Sequence, residues 1–320
     1  INQFHKLIES TIKKQRYGKQ PASLYEPIRY LMSLGGKRLR PMLTLLAYDL
    51  YKPNVKSIIS YAVAVEAFHN FTLMHDDIMD KAPLRRGHAT VHKKWNVNTA
   101  ILSGDVMQVK VYEAFCHLPP AQLKKVMMAF NQCATEVCEG QQWDMEFETH
   151  DNVSEAQYIH MIRQKTAVLL GFSLELGAIL ADAPAKAAIA LRNFGVNIGI
   201  GFQLKDDLMD AYADPKKFGK QVGGDILSNK KTWLLIKALE RADAAGKQTL
   251  THWLNAKKFD KKEKIKNVLA VYDACGIPAL AEKKINQYFN KGFAALQAVK
   301  APRNREALEA FCEMLVQRQS

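Results

Sequence analysis

A chain of 320 residues can bury one large core or two ordinary ones. Its 17 Gly and 11 Pro, with few runs of alternating Val, Ile and Thr, exclude a β-rich or low-complexity protein and lead to an all-α expectation, a single large helical bundle. The net charge of +13 points to an anionic partner: nucleic acid, an acidic membrane surface or a phosphorylated small molecule.

Taken in chain order, Ile1 to Lys6 lacks a basic start followed by an apolar core, so no secretion signal is read there. Gly35-Gly36-Lys37-Arg38-Leu39-Arg40-Pro41 sets cations beside a flexible turn. A helix over 55–80 carries Phe68, His69 and Phe71 and ends in Asp76-Asp77-Ile78-Met79-Asp80, with Pro83 as its stop and Arg85-Arg86-Gly87 just beyond. Pro119-Pro120 opens a helix over 120–147. The next, 156–182, contains the most apolar stretch, Ala167 to Ala181, which is interrupted by Ser173 and Glu175 and is shorter than a membrane span of about 20 residues. It reads as a buried helix of a soluble protein, not as an integral membrane segment. A helix over 186–212 carries a second acidic pentad, Asp206-Asp207-Leu208-Met209-Asp210. Gly223-Gly224 separates it from a helix over 230–242. The run from Lys258 to Lys264 interleaves acids with lysines and reads as a solvated helix face, which argues against nucleic acid. Cys116, Cys133, Cys138, Cys275 and Cys312 are odd in number and include no C-x-x-C pair, so a reducing cytoplasm is expected. No long linker divides the chain, and residues 1–320 read as one domain.

The pentads carry the chemistry. Residues i and i+4 share a helix face, so Asp76 with Asp80, and Asp206 with Asp210, can converge on a cation while Asp77 and Asp207 project to the side. Three carboxylates in one turn near a helix C-terminus oppose the dipole, so something cationic must compensate. Mg²⁺ held by carboxylates and substrate phosphates does this.

These motifs, in this order, resemble the trans-isoprenyl diphosphate synthases, or polyprenyl synthetases. Gly35 to Pro41 is similar to that family's G-G-K-x-x-R-P, Asp76 to Gly87 to its first D-D-x-x-D with trailing R-R-G, and Gly140-Gln141-Gln142-Trp143-Asp144 to its G-Q-x-x-D. Lys165-Thr166 matches its K-T pair, Phe202 to Asp210 its second aspartate-rich motif, and Gly219-Lys220 through Thr232 its basic tail. The resemblance implies a bundle with a central active-site cavity, a homodimer, and three Mg²⁺ ions, two on Asp76 and Asp80 and one on Asp206 with Asp210 nearby. It implies that Lys37, Arg40, His69 and Arg86 bind isopentenyl diphosphate. Arg85, Lys165, Thr166, Gln203, Lys220 and Lys230 would hold the allylic diphosphate, and Asp77 and Asp207 would support the metal ligands. The reaction implied is ionisation, condensation and elimination, with Lys165, Thr166 and Gln203 stabilising the allylic cation and the released diphosphate taking the proton.

Product length is expected to depend on a floor below the first pentad. Phe71 and Phe68 stand five and eight residues before Asp76, an i, i+3 pair that can close the pocket. One aromatic at the fifth position, Thr72 at the fourth and no insertion in the pentad resemble a twenty-carbon geranylgeranyl producer, with a farnesyl producer second. A terpene cyclase is the less apt reading, because its second metal motif does not repeat Asp-Asp-x-x-Asp. A non-catalytic regulatory subunit is less apt too, because no ligand residue is missing.

Overall fold

The computed structural model describes residues 1–150, 152–213, 223–303 and 305–316. The fold is all-α: among the described residues the only strands form one short hairpin. Helices α1 (Asn2–Lys14), α2 (Ala22–Ser33), α3 (Leu39–Asp49) and α4 (Ile59–Met79) lead to β1 (Leu84–Arg85) and β2 (His88–Ala89). Then come α5 (Val91–Lys94), α6 (Val97–Phe115), α7 (Pro120–Thr149), α8 (Glu155–Ile162), α9 (Val168–Leu180) and α10 (Ala185–Tyr212). The remainder is α11 (Gly224–Leu227), α12 (Trp233–Arg241), α13 (Ala244–Asn255), α14 (Lys261–Ala274), α15 (Ile277–Gln297) and α16 (Glu306–Val316).

The residues group into two compact units, each drawn from separate stretches of chain. One comprises Ile1–Gln132, Leu169–Arg192 and Val299–Glu309; the other comprises Cys133–Val168, Asn193–Ala298 and Ala310–Ser320. In the first, α4 packs against α3 and α6. Ala62, Val63, Ala64 and Val65 are consecutive and all buried, so this helix is covered on every side and its sequence has no polar face there. Gly177 of α9 meets α3 so closely that a Cβ would lie 2.2 Å from the Thr44 carbonyl oxygen. In the second unit Gly201 of α10 admits the Phe289 ring of α15 in the same way, at 2.6 Å.

Several expectations change at this level. The single helix read over 156–182 is two, joined by a π turn at Arg163–Ala167, a feature that periodicity does not reveal here because residues 167–178 are all buried and present no polar face whose phase could shift. The helix read from 55 opens instead with a 3₁₀ turn, Val55–Ile58. Lys264 does not belong to a solvated face: its side chain is buried, whereas Lys258, Lys261 and Lys262 are exposed. All five cysteines are free, Cys116 and Cys138 at the surface.

Candidate active site

In the first unit, α4 carries the pentad at its C-terminal end. Ala82 N–H donates to the Asp77 carbonyl and Lys81 N–H to that of Ile78, with Lys81 left-handed at φ 52°, a Schellman closure that halts the helix inside the acidic cluster. Asp77 is buried, and the Arg85 Nε reaches its two carboxylate oxygens at 2.9 and 2.8 Å. Arg85 Nη2 lies 2.7 Å from Asp77 and 3.5 Å from Asp76. Arg85, expected on the allylic diphosphate, is thus first a strut for the cluster. Asp76 is half-buried and Asp80 exposed, so this pentad opens to solvent at its outer end more than its apolar neighbours imply.

The hairpin that delivers Arg85 turns through Arg86 and Gly87, both at positive φ, 53° and 78°. Such a turn follows the twist of two short strands. Arg86 folds back onto the Gly35 carbonyl, and its guanidinium covers Gly36, where a Cβ would stand 3.0 Å away. The Gly35-Gly36 turn therefore receives Arg86 beside Lys37 and Arg40, three of the four cations and polar groups assigned to one diphosphate. The fourth, His69, lies half-buried on α4. Burial first, then the charges of Arg40, Arg86, Arg85 and Arg38, hold its imidazole well below the usual histidine range, so it is neutral at pH 7. Arg38, in the middle of the motif, points the other way. It is buried and bonds Glu9 at 2.7 Å, Glu66 at 2.8 Å and the Met32 carbonyl at 2.8 Å, tying the turn to α1, α2 and α4.

Phe68 and Phe71 behave as the spacing predicts, their ring centroids 5.5 Å apart. Phe68 also meets Phe130 edge-on at 5.0 Å, and Phe130 meets Phe115 and Phe172. An aromatic layer from α4, α6, α7 and α9 thus lies behind Phe71. His75, which stacks on Phe71 at 4.8 Å, occupies the space left by Gly104.

In the second unit, the π turn places Lys165 and Thr166. A Cβ on Gly140 would lie 2.2 Å from the Lys165 amide nitrogen, so only glycine lets α7 pass this turn. Lys165 Nζ bonds Asp144 at 2.5 Å, and Gln164 bonds Glu139 at 2.6 Å, both back to α7. Thr166 donates to Gln203 Oε1 at 3.3 Å, and Gln203 donates to Asp207 at 3.0 Å. Asp207 is buried and also accepts the Tyr158 hydroxyl. Desolvation and the nearby Asp225 raise its pKa to about 7, against the lowering effect of Tyr158, Gln203 and Lys230. Asp206 and Asp210 are half-buried, and Asp210 Oδ2 accepts the Asp225 amide at 2.9 Å. Lys230 is exposed, and its amide donates to the carbonyl of Asp225, whose own amide bonds Asp210; Lys220 lies outside the described residues.

Both clusters follow one rule. The second aspartate is buried and bonded by neighbours, Asp77 by Arg85 and Asp207 by Tyr158 and Gln203, while the first and fifth reach accessible positions. Sequence alone gave no sign of Tyr158 or of the Asp144–Lys165 bond as parts of the site. A buried tyrosine hydroxyl needs a partner, but its partner stands 49 residues away.

Among the described residues no group of three or more His, Cys, Asp or Glu side chains is gathered to hold an ion unaided. Accessible carboxylates in pairs fit a hard divalent ion that completes its shell with phosphate oxygens and water. Such a carboxylate pair with lysine or arginine nearby is a donor set suited to a cation and its phosphates. The chain belongs to the polyprenyl synthetase family, whose model matches residues 21–272. It is 35% identical over 318 residues to a geranylgeranyl pyrophosphate synthase of Geoglobus acetivorans, covering 98% of this chain and 96% of the relative. It is also 35% identical over 260 residues to a geranylfarnesyl diphosphate synthase of Natronomonas pharaonis, covering 75% and 76%. Among solved structures, a geranylgeranyl pyrophosphate synthase superposes with a TM-score of 0.94 at 40% identity, covering 100% of this chain and 99% of that one.

Proposed function

We propose that the chain is a trans-prenyltransferase that condenses isopentenyl diphosphate with an allylic diphosphate, its main product geranylgeranyl diphosphate. One observation carries this reading: each acidic cluster has its second aspartate fixed from behind, which holds the first and fifth in a set orientation for a cation and its phosphates. Asp76, Asp80, Asp206 and Asp210 are the metal ligands in this reading, for three Mg²⁺ ions. Mg²⁺, when bound, supplies Lewis-acid stabilisation of the charge that develops on a departing diphosphate. Lys37, Arg40, Arg86 and neutral His69 bind the isopentenyl diphosphate. Lys165, Lys230, Arg85 and Lys220 hold the allylic one. As the allylic carbon–oxygen bond breaks, the dipoles of Thr166 and Gln203 face the cation. The double bond of isopentenyl diphosphate then attacks it, and the released diphosphate takes a proton from the new carbon skeleton as the double bond re-forms. Residues 1–320 act as one catalytic domain, since the family match spans both units.

Phe71, with Phe68 behind it, is the floor that limits the tail. A fifteen-carbon farnesyl product is the second reading. The protein is read as a cytoplasmic homodimer; no helix among the described residues is long and apolar enough to cross a membrane, and α6 leaves Leu102 and Val109 exposed. Incubation with isopentenyl diphosphate, Mg²⁺ and dimethylallyl, geranyl or farnesyl diphosphate tests the proposal. Release of diphosphate with a twenty-carbon prenol after phosphatase treatment is the expected result. No elongated prenol with any donor would overturn the synthase reading.

A further inference from the structure

Lys264 stands on α14, well away in sequence from every motif above, and its side chain is 1% exposed. A lysine is rarely buried to this degree unless paired. Among the described residues no carboxylate bonds it. Its Nζ lies 2.5 Å from Asn229 Oδ1, 3.5 Å from the Leu227 carbonyl and 4.2 Å over the Phe259 ring. Desolvation lowers its pKa, so holding it there charged is a cost that something must justify.

Asn229 is the residue it touches, and Asn229 is itself unusual. It is left-handed, at φ 57°, and both ends of its amide are used: Oδ1 toward Lys264 and Nδ2 donating to the Leu254 carbonyl at 2.9 Å. The next residue is Lys230. The loop around it encloses the second acidic cluster: Gly223 N–H donates to the Asp210 carbonyl at 2.6 Å, the Asp225 amide to Asp210 Oδ2, and the Lys230 amide to the Asp225 carbonyl at 2.9 Å. Lys264 and Asn229 line one small cavity with Asp207, Asp210, Asp225 and Lys230, with about 20 Å³ of free space, room for a single water.

We infer that Lys264 is a positioning residue for the allylic diphosphate site: through Asn229 it fixes the left-handed step that aims Lys230 and sets the Asp225 amide against Asp210. This rests on the synthase reading above. An apolar contact at Phe259 could be made by any long side chain, but only a donor can bond the Asn229 oxygen and so fix the side chain of this left-handed residue.

The test compares wild type with Lys264→Met, Lys264→Arg, Asn229→Gly and the Lys264→Met/Asn229→Gly pair. Binding of inorganic diphosphate with Mg²⁺ is followed by calorimetry, KM for the allylic substrate by turnover, and thermal midpoint by scanning. Lys264→Met is close in shape and removes a buried charge, so its midpoint should be equal to or above that of wild type. Its KM for the allylic diphosphate should rise, and its Mg²⁺–diphosphate affinity fall, by about tenfold, the scale of one hydrogen bond to a charged group. Lys264→Arg should retain most of the affinity. Asn229→Gly, which keeps the left-handed step open but also gives up the amide's bond to the Leu254 carbonyl, should show at least as large a loss, and the pair no more than Asn229→Gly alone, because both remove the Lys264–Asn229 bond. Unchanged KM and affinity in Lys264→Met, a lowered midpoint that accounts for the loss, or fully additive losses in the pair would each overturn the inference. If wild type binds Mg²⁺–diphosphate but makes no prenol, the synthase reading fails while the comparison of binding still decides the role of Lys264.

Discussion

At the scale of single residues, the two acidic clusters share a spacing but not a chemistry of support. Asp77 is held by a guanidinium and Asp207 by a hydroxyl and an amide. An arginine fork fixes a carboxylate in its plane and offsets its charge. A tyrosine and a glutamine fix position without a countercharge, and burial together with the nearby Asp225 pushes Asp207 to about 7. Tyr158→Phe removes only the donor. We predict a kcat about tenfold lower at saturating substrates, with the far-ultraviolet circular dichroism unchanged. Equal kcat in the variant would show that Gln203 suffices to hold Asp207. The residue types of this site were legible in the sequence, since Asp, Lys and Arg at those spacings have few other uses. Which aspartate of each pentad is buried was not, because the answer depends on Arg85 returning by a hairpin and on Tyr158 arriving from another helix.

At the scale of elements, α8 is the piece that joins the second acidic cluster to its surroundings. Ser154 caps it, with the Gln157 side chain bonded back to the Ser154 amide in a capping box. Glu155 in its first turn bonds Lys284 of α15 at 2.6 Å and Lys237 of α12 at 3.1 Å. Burial would raise the Glu155 pKa, but the hydrogen bonds from Lys284 and Lys237 outweigh it and hold the group below its ordinary 4.5. A depressed folded pKa gives stability that is complete above the unfolded value and is lost as pH falls through the folded one. Glu155→Gln is therefore expected to lower stability by about 1 kcal/mol at pH 7, as for a partly exposed ion pair. The difference from wild type should shrink as pH falls below 4.5 and vanish once the carboxyl is protonated in the folded protein, by denaturant titration across pH. A difference that persists at low pH would assign the effect to packing. The elements themselves were mostly readable, from Pro120 at the start of α7 to Tyr212 at the end of α10. The π turn was not, since it arises where α7 passes Gly140 rather than from any breaker in its own five residues.

Across the molecule, the acidic pentads occupy the C-terminal ends of two long helices, and the aromatic layer behind Phe71 is assembled from four. Phe71→Ala opens that layer at its nearest ring. The substitution should cost about 3–5 kcal/mol of stability and shift the product distribution toward longer prenols, read by chromatography after phosphatase treatment. An unchanged distribution from a folded variant would take Phe71 out of the floor. The sequence by itself determined the family, the all-α class and the two acidic clusters, because helical spacing and repeated ligand types are properties of neighbours along the chain. Tertiary structure alone decided that Arg38 turns inward, that Arg85 and Tyr158 brace the clusters, and that Lys264 reaches Asn229. Each of those is a bond between residues far apart in sequence, formed only when burial removes water and a polar group must find its partner within the protein.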